Sequence, residues 1–301
     1  MNQPSLSRRH FIRGAAALTG AAVLAPFASA QAATKRTAAD LVTLGNTGIK
    51  LSRLGIGTGV NNGGDNLAPG KDAFVKVIRH AIDQGITYID CAQRYSTFDA
   101  IKEGIKGTPR EKLYIQSKIW PGDYRDVMAE IDRHRKNFNT DYIDSLLVHC
   151  RTEPNWTEQW KAMLDVYDQA KEKKWIRARG VSCHSMAALV QANASPWPDM
   201  HLVRINPQGL IMDGPNGGWN AQSVNPVQPV LDQIKSMHDK GRGVIGMKIF
   251  GNGLIRDPAK REESIRFAMG NPDIDAIVIG MTSTKEVDEN IAMMNKVLAA
   301  A

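Results

Sequence analysis

The chain has 301 residues, 43% hydrophobic and 23% charged, a balance that supplies a sizeable core and excludes a disordered or low-complexity protein. Its formal net charge is +7, but Arg8, Arg9 and Arg13 sit together near the N-terminus and leave about +4 scattered over the rest. With no Lys/Arg cluster interleaved with aromatics, nucleic acid is not an expected partner. The three cysteines, Cys91, Cys150 and Cys183, are odd in number and outline no disulfide framework.

The first predicted element is a leader. Ser7 to Arg13 reads S-R-R-H-F-I-R, an alanine-rich apolar run follows from Gly14 to Ala28, and Ala28-Ser29-Ala30 offers a small-x-small cleavage site. A positive start, a short apolar middle and a small-residue exit are the anatomy of a secretory signal, and the paired arginines narrow it to twin-arginine export. The run is shorter than the roughly 20 residues of a membrane span, so no stable span is expected. The expected organisation is a signal over 1–30, a linker over 31–39 and one domain over 40–301, located in the periplasm, with the twin-arginine machinery as a partner. The alternative for the leader is an uncleaved amphipathic helix.

Next comes a small hairpin, LVTLGNTGIKLS, with Asn46-Thr47-Gly48 as turn material. Eight strand-like runs follow, at 53–59, 87–92, 113–118, 142–149, 178–183, 201–206, 243–248 and 276–281. Helix patterns lie between them. FVKVIRHAIDQG places Phe74, Val77, Ile78, Ala81 and Ile82 on one face and ends in glycine. VMAEIDRHRKNF, TEQWKAMLDVYDQAKEKK, VQPVLDQIKSMHDKG and KEVDENIAMMNKVL behave similarly. Repeated strand-then-helix units at this length predict an α/β fold, a (β/α)8 TIM barrel with an N-terminal β-hairpin. An open doubly wound sheet is the competing architecture, but GIGTGVNNGG is not followed by the helix pattern that a dinucleotide-binding turn requires.

In a barrel, functional groups sit at the C-terminal strand ends. Those ends carry Asp90, Lys118 and His149 on three successive strands, with Tyr95 in the loop after the first of them. A buried carboxylate is costly unless paired, and a lysine on the adjacent strand is the expected partner. Lys118 near the Tyr95 loop favours phenolate and is expected to lower the phenol's pKa from about 10, tuning it as a proton donor. His149 can add a hydrogen bond to the same acceptor, a carbonyl oxygen gaining charge. No protein group supplies a nucleophile for the carbon, and a nicotinamide hydride is the natural source.

With these residues in place, the chain resembles the aldo/keto reductase superfamily from about Leu44 to Ile291. LGNTGIKLSRLGIGTG is similar to that family's hairpin and first strand, GITYIDCAQRY to its glycine-x-x-x-x-aspartate-x-alanine-x-x-tyrosine segment, IQSKIW to its lysine strand and DYIDSLLVH to its histidine strand. The resemblance implies a catalytic tetrad of Asp90, Tyr95, Lys118 and His149, and reduction of an aldehyde or ketone by NAD(P)H with Tyr95 as general acid. It implies cofactor contacts from Gly57, Thr58 and Asp90, from Ser182 and Cys183 after the fifth strand, and from Arg204 where a glutamine is customary. Lys248, Gly251 and Gly253 are expected along the pyrophosphate, and Thr282, Ser283, Glu286, Glu289 and Asn290 at the adenosine. NADP(H) is the expected cofactor and NAD(H) the alternative, because Glu286 stands where many members carry an arginine for the 2′-phosphate, with Lys285 one position earlier. Trp120, Trp156 and Trp219 are candidates for the substrate wall.

Two other readings stand beside this one. The same tetrad can serve a cofactor-bound redox sensor or regulatory subunit with little turnover. His149, Cys150, Cys183 and His184 carry ligands suited to zinc or copper, but strand alternation turns the two cysteines away from the mouth, so no metal is expected. A Cys150–Cys183 disulfide formed after export is a further option for the pair.

Overall fold

The structure, a computed structural model, describes residues 36–122, 125–215, 218 and 224–300. The expected signal over 1–30 and Trp219 lie outside the described residues. Strands β1 (Leu41–Thr43) and β2 (Lys50–Ser52) form an antiparallel hairpin. Eight parallel strands then close a barrel: β3 (Leu54–Gly57), β4 (Tyr88–Asp90), β5 (Tyr114–Ile119), β6 (Ile143–Arg151), β7 (Ile176–Cys183), β8 (Met200–Arg204), β9 (Gly243–Met247) and β10 (Ala276–Gly280). Each pairs with its sequence neighbours, and β10 returns to β3. Every one overlaps a strand run expected from the sequence.

Two packing layers explain why these segments read as nearly continuous apolar runs, since both faces of a parallel barrel strand are covered. Inside the barrel lie Tyr88, Tyr114, Leu147, Ala178, Met200, Leu202, Ile245 and Ala276, joined by Leu44, Ile49 and Leu51 of the hairpin segment. Alternate residues such as Leu146, Val148, Val203 and Val244 face the outer helices. The hairpin segment thus packs with the barrel's interior, and the C-terminal strand ends are left for a site.

The outer helices are α1 (Gly64–Leu67), α2 (Lys71–Asp83), α3 (Phe98–Gly104), α4 (Val127–Phe138), α5 (Trp156–Gln159), α6 (Lys161–Glu172), α7 (Met186–Ala194), α8 (Gln228–Asp239), α9 (Pro258–Met269) and α10 (Thr284–Ala299). The helix expected from TEQWKAMLDVYDQAKEKK is two helices, interrupted at Trp160 (φ −110°, ψ 20°). Helices α3, α7 and α9 lack a readable sequence pattern for different reasons. Helix α3 spans only seven residues, α7 is almost entirely small or apolar, and α9 carries five charged residues among its twelve, with Ser264, Ile265, Ala268 and Met269 buried. For α7 and α9 the caps were the available signal: Ser185 accepts from the Ala188 amide, and Asp257, followed by Pro258, accepts from the Lys260 amide. Among the described residues no helix is long and apolar enough to cross a membrane.

Candidate active site

The carboxylate of Asp90 ends β4 almost without solvent exposure, and its cost is met by Lys118 at the end of β5. Lys118 Nζ donates to Asp90 Oδ1 at 2.7 Å, to Oδ2 at 2.8 Å and to the Cys91 carbonyl at 2.8 Å. An ammonium has three donors, so all of them are committed. Gln116 Nε2 also donates to Asp90 Oδ1 at 2.6 Å and to the Tyr88 hydroxyl at 2.9 Å, which anchors the carboxylate from below. Gln116 belongs to this network although the sequence reading passed over it. Its position two residues before Lys118, on the same strand face, was the signal.

Tyr95 follows on the loop after β4, held by its own amide donating to the Ala92 carbonyl at 2.9 Å. Lys118 Nζ lies 5.1 Å from the Tyr95 ring centre, and the His149 ring stands edge-on to Tyr95 at 6.1 Å between centroids. The four side chains therefore line one end of a single cleft with a cavity volume of about 400 Å³. The electrostatic expectation needs correction. Burial pushes the Tyr95 phenol up to about 12, and the opposing pull of Lys118 is smaller. Burial, together with the nearby charges of Lys118, Arg151, Lys248 and Arg94, holds His149 well below the ordinary histidine range. Both groups are neutral near pH 7, so Tyr95 has an O–H and His149 one N–H to give.

From this end the cleft runs past Lys248 and Phe250 to Thr282 and Glu286. Gly57, Ser182, Lys248 and Gly253 line it as expected from the sequence. Ser182 Oγ accepts the Cys150 amide at 3.0 Å, which leaves its own proton for the cleft. Lys248 is half-buried, its pKa lowered by desolvation, and Nζ donates to Asn252 Oδ1 at 2.8 Å. Asn252 and Gly253 form the wall there, with Gly253 at φ +88°, while Gly251 (φ +53°) makes the bend behind them. Several expected contacts fall elsewhere. Thr58 does not line the cleft and instead donates its hydroxyl to the Asp90 carbonyl at 2.8 Å. Cys183 is buried behind the strand, and His184, two residues beyond Ser182 on the same side of the alternation, lines the cleft in its place. Arg204 is fully buried in an ion pair, donating Nη2 to Asp213 Oδ1 at 2.6 Å and Nη1 to the Gly218 carbonyl at 3.2 Å. It pins the loop after β8 and does not line the cleft. A glutamine-to-arginine change places a charge that demands a carboxylate, and Asp213 supplies it. Trp156 is buried with its indole N–H on the Ala188 carbonyl, away from any substrate wall, whereas Trp120 stands edge-on to His149 at 5.9 Å.

At the far end Ser283 caps α10 by accepting the Glu286 amide, Glu289 lies on the exposed surface 3.7 Å from Lys285, and Asn290 Oδ1 accepts from Arg261 Nη2 at 3.0 Å. Arg261 lines the cleft and packs its guanidinium over Phe250 at 4.3 Å, a neighbour that sequence order did not suggest. Arg261 Nε and Asn290 Nδ2 are buried with no hydrogen-bond partner among the described residues. A cleft with a half-buried lysine, a glycine turn, a helix N-terminus and orphaned polar atoms fits an extended, phosphate-bearing cofactor. The cysteines stand as free thiols, with Cys150 Sγ 3.5 Å from His184 Nε2. Among the described residues no three His, Cys, Asp or Glu side chains are grouped to hold a metal ion.

Residues 53–265 match the model of the aldo/keto reductase family. The chain is 32% identical over 147 residues to the 9,11-endoperoxide prostaglandin H2 reductase of Trypanosoma cruzi, an alignment that covers 48% of each protein. It thus spans about half the length of that relative. It is 29% identical over 220 residues to glyoxal reductase of Bacillus subtilis, covering 67% of this chain and 75% of that one. The fold superposes on an aldo/keto reductase from Klebsiella pneumoniae solved with NADP and acetate, with a TM-score of 0.63 at 18% identity over 84% of this chain and 89% of that one.

Proposed function

Because the chain belongs to the aldo/keto reductase family, we propose that it reduces the carbonyl group of a small aldehyde or ketone to an alcohol, using a reduced nicotinamide dinucleotide. The observation that carries this reading is the neutral Tyr95 phenol beside a charged, fully engaged Lys118, in a cleft whose lining continues to Thr282 and Glu286. The relatives, reductases of glyoxal and of an endoperoxide, support the reductive direction and leave the substrate broad. The Klebsiella structure's NADP supports the cofactor class.

Ser182, Lys248, Gly253 and Thr282 would hold the cofactor, which when bound would supply a hydride to the carbonyl carbon. The protein's own groups handle the proton. Tyr95 Oη–H donates to the carbonyl oxygen as charge builds there, and the His149 N–H holds the same oxygen in line. The phenolate left behind is stabilised by the ammonium of Lys118. Because that ammonium's donors are already taken by Asp90 and the Cys91 carbonyl, it acts through its field rather than through a hydrogen bond. Asp90 and Gln116 keep the ammonium charged and in place. Burial around the pair strengthens this field relative to water.

The test is oxidation of NADH and NADPH by wild type and Tyr95→Phe against a panel of small aldehydes and ketones, with nucleotide binding followed separately. Removing the general acid is expected to lower kcat by about 10²–10⁴-fold while binding persists. Equal turnover by both proteins would refute the role of Tyr95. Tight binding without turnover in wild type would favour the sensor reading. We further propose that residues 1–30 direct twin-arginine export, on the strength of Arg8-Arg9, the apolar run and the Ala28-Ser29-Ala30 exit.

A further inference from the structure

We propose that Glu286 makes this cleft selective for NADH over NADPH, by accepting a hydrogen bond from the adenosine ribose 2′-hydroxyl and repelling a 2′-phosphate. This deepens the reductase reading and rests on it.

Glu286 lies in the first turn of α10 and lines the cleft with Thr282. Its carboxylate is held in place: Oε2 accepts the Thr282 amide at 2.6 Å and the Thr282 hydroxyl at 3.0 Å. The Glu286 amide is itself taken by Ser283 Oγ at 3.2 Å. Among the described residues no hydrogen bond engages the second carboxylate oxygen, so it is free to accept one. The charge that a helix N-terminus usually offers to a phosphate is therefore already met by a carboxylate from the same helix. Lys285, the adjacent cation, does not offset it. Its side chain is 83% exposed, and its nearest carboxylate is Glu289, at 3.7 Å on the outer surface.

Two further cations, Arg256 and Arg261, line this end of the cleft, and each is anchored to the protein by one nitrogen. Arg261 packs over Phe250 and donates to Asn290, and Arg256 Nε donates to the Gly253 carbonyl at 3.2 Å. They set the attraction for any dinucleotide, and the carboxylate sets the difference. A 2′-phosphate carries between one and two negative charges near neutral pH, whereas a hydroxyl is a donor that a carboxylate accepts. An acidic side chain on the ribose hydroxyl is the same physical solution that doubly wound dinucleotide folds use for NAD.

The experiment measures dissociation constants of NADH and NADPH by nucleotide and tryptophan fluorescence on the full chain, for wild type, Glu286→Gln and Glu286→Arg. Displacement by 5′-ADP and by 2′,5′-ADP isolates the adenosine end, since neither carries nicotinamide. Wild type is expected to bind NADH, and 5′-ADP over 2′,5′-ADP, at least about tenfold more tightly. Glu286→Gln retains an oxygen for Thr282, so its melting temperature is expected to stay near wild type while the ratio narrows. Glu286→Arg is expected to reverse the ratio. Equal binding of the two nucleotides by wild type, a preference for NADPH, or an unchanged ratio in a folded Glu286→Gln protein would overturn the proposal and leave the reductase reading standing. Failure of wild type to bind either nucleotide would remove the reductase reading and this proposal together.

Discussion

At Tyr95 two opposing effects meet, and their sizes decide the chemistry. Lys118 draws the phenol towards ionisation, but burial outweighs it and leaves the group near 12. The proton is therefore retained through the neutral range, which is the state a reduction needs. His149, pushed well below its ordinary value of 6.5, protonates only in distinctly acid solution. The expected consequence is a kcat for carbonyl reduction that stays level from pH 6.5 upward through the neutral range. An ionisation near pH 7 to 8 in a stopped-flow pH profile would show a phenol far more acidic than its burial allows. Asp90, Lys118 and His149 were legible from sequence because each sits at a strand end that apolar periodicity locates, and Tyr95 because it follows in the loop after β4. The direction of the tyrosine shift was not, because desolvation depends on atoms from other strands that close over the ring.

At the scale of elements, the tetrad depends on how closely β3 and the β4 loop approach. Gly59, just past β3, has φ −114°, a backbone that any residue adopts, so only space excludes a side chain there. A Cβ on Gly59 would overlap the Tyr95 ring. Gly59→Ala is therefore expected to displace Tyr95 and lower kcat/KM by roughly 10²-fold, the usual cost of a misplacement near 1 Å, with little change in melting temperature. Wild-type kinetics in that variant would show that the loop yields freely and that Tyr95 is not held by this contact. The glycine was visible in GIGTGV, yet its partner was not, since Tyr95 lies 36 positions later and only the β3–β4 pairing brings the two together. The same limit hid His184 and Arg261, which reach the cleft across strand and helix ends, and misplaced Arg204, whose charge turns to Asp213 instead of the cofactor wall.

Across the whole molecule, the barrel separates stability from chemistry. The strand interiors and the hairpin segment carry the apolar packing, and the polar groups gather at the C-terminal ends. The proposed twin-arginine leader is tested separately. Replacing Arg8 and Arg9 with lysines is expected to abolish export in a bacterium that has the twin-arginine route. Cell fractionation should then find the precursor in the cytoplasm, and N-terminal sequencing of the wild-type periplasmic protein should begin after Ala30. Unchanged export of the lysine variant would assign the leader to another route. The sequence by itself determined the fold, the order of the strands and the strand-end location of Asp90, Lys118 and His149, because strand and helix periodicities are local and the barrel rule maps strand ends to one face. Only the tertiary structure decided which groups share the cleft, which cation finds which carboxylate, and whether the Tyr95 phenol keeps its proton. Those depend on burial and on partners that arrive from distant segments, and no local pattern encodes either.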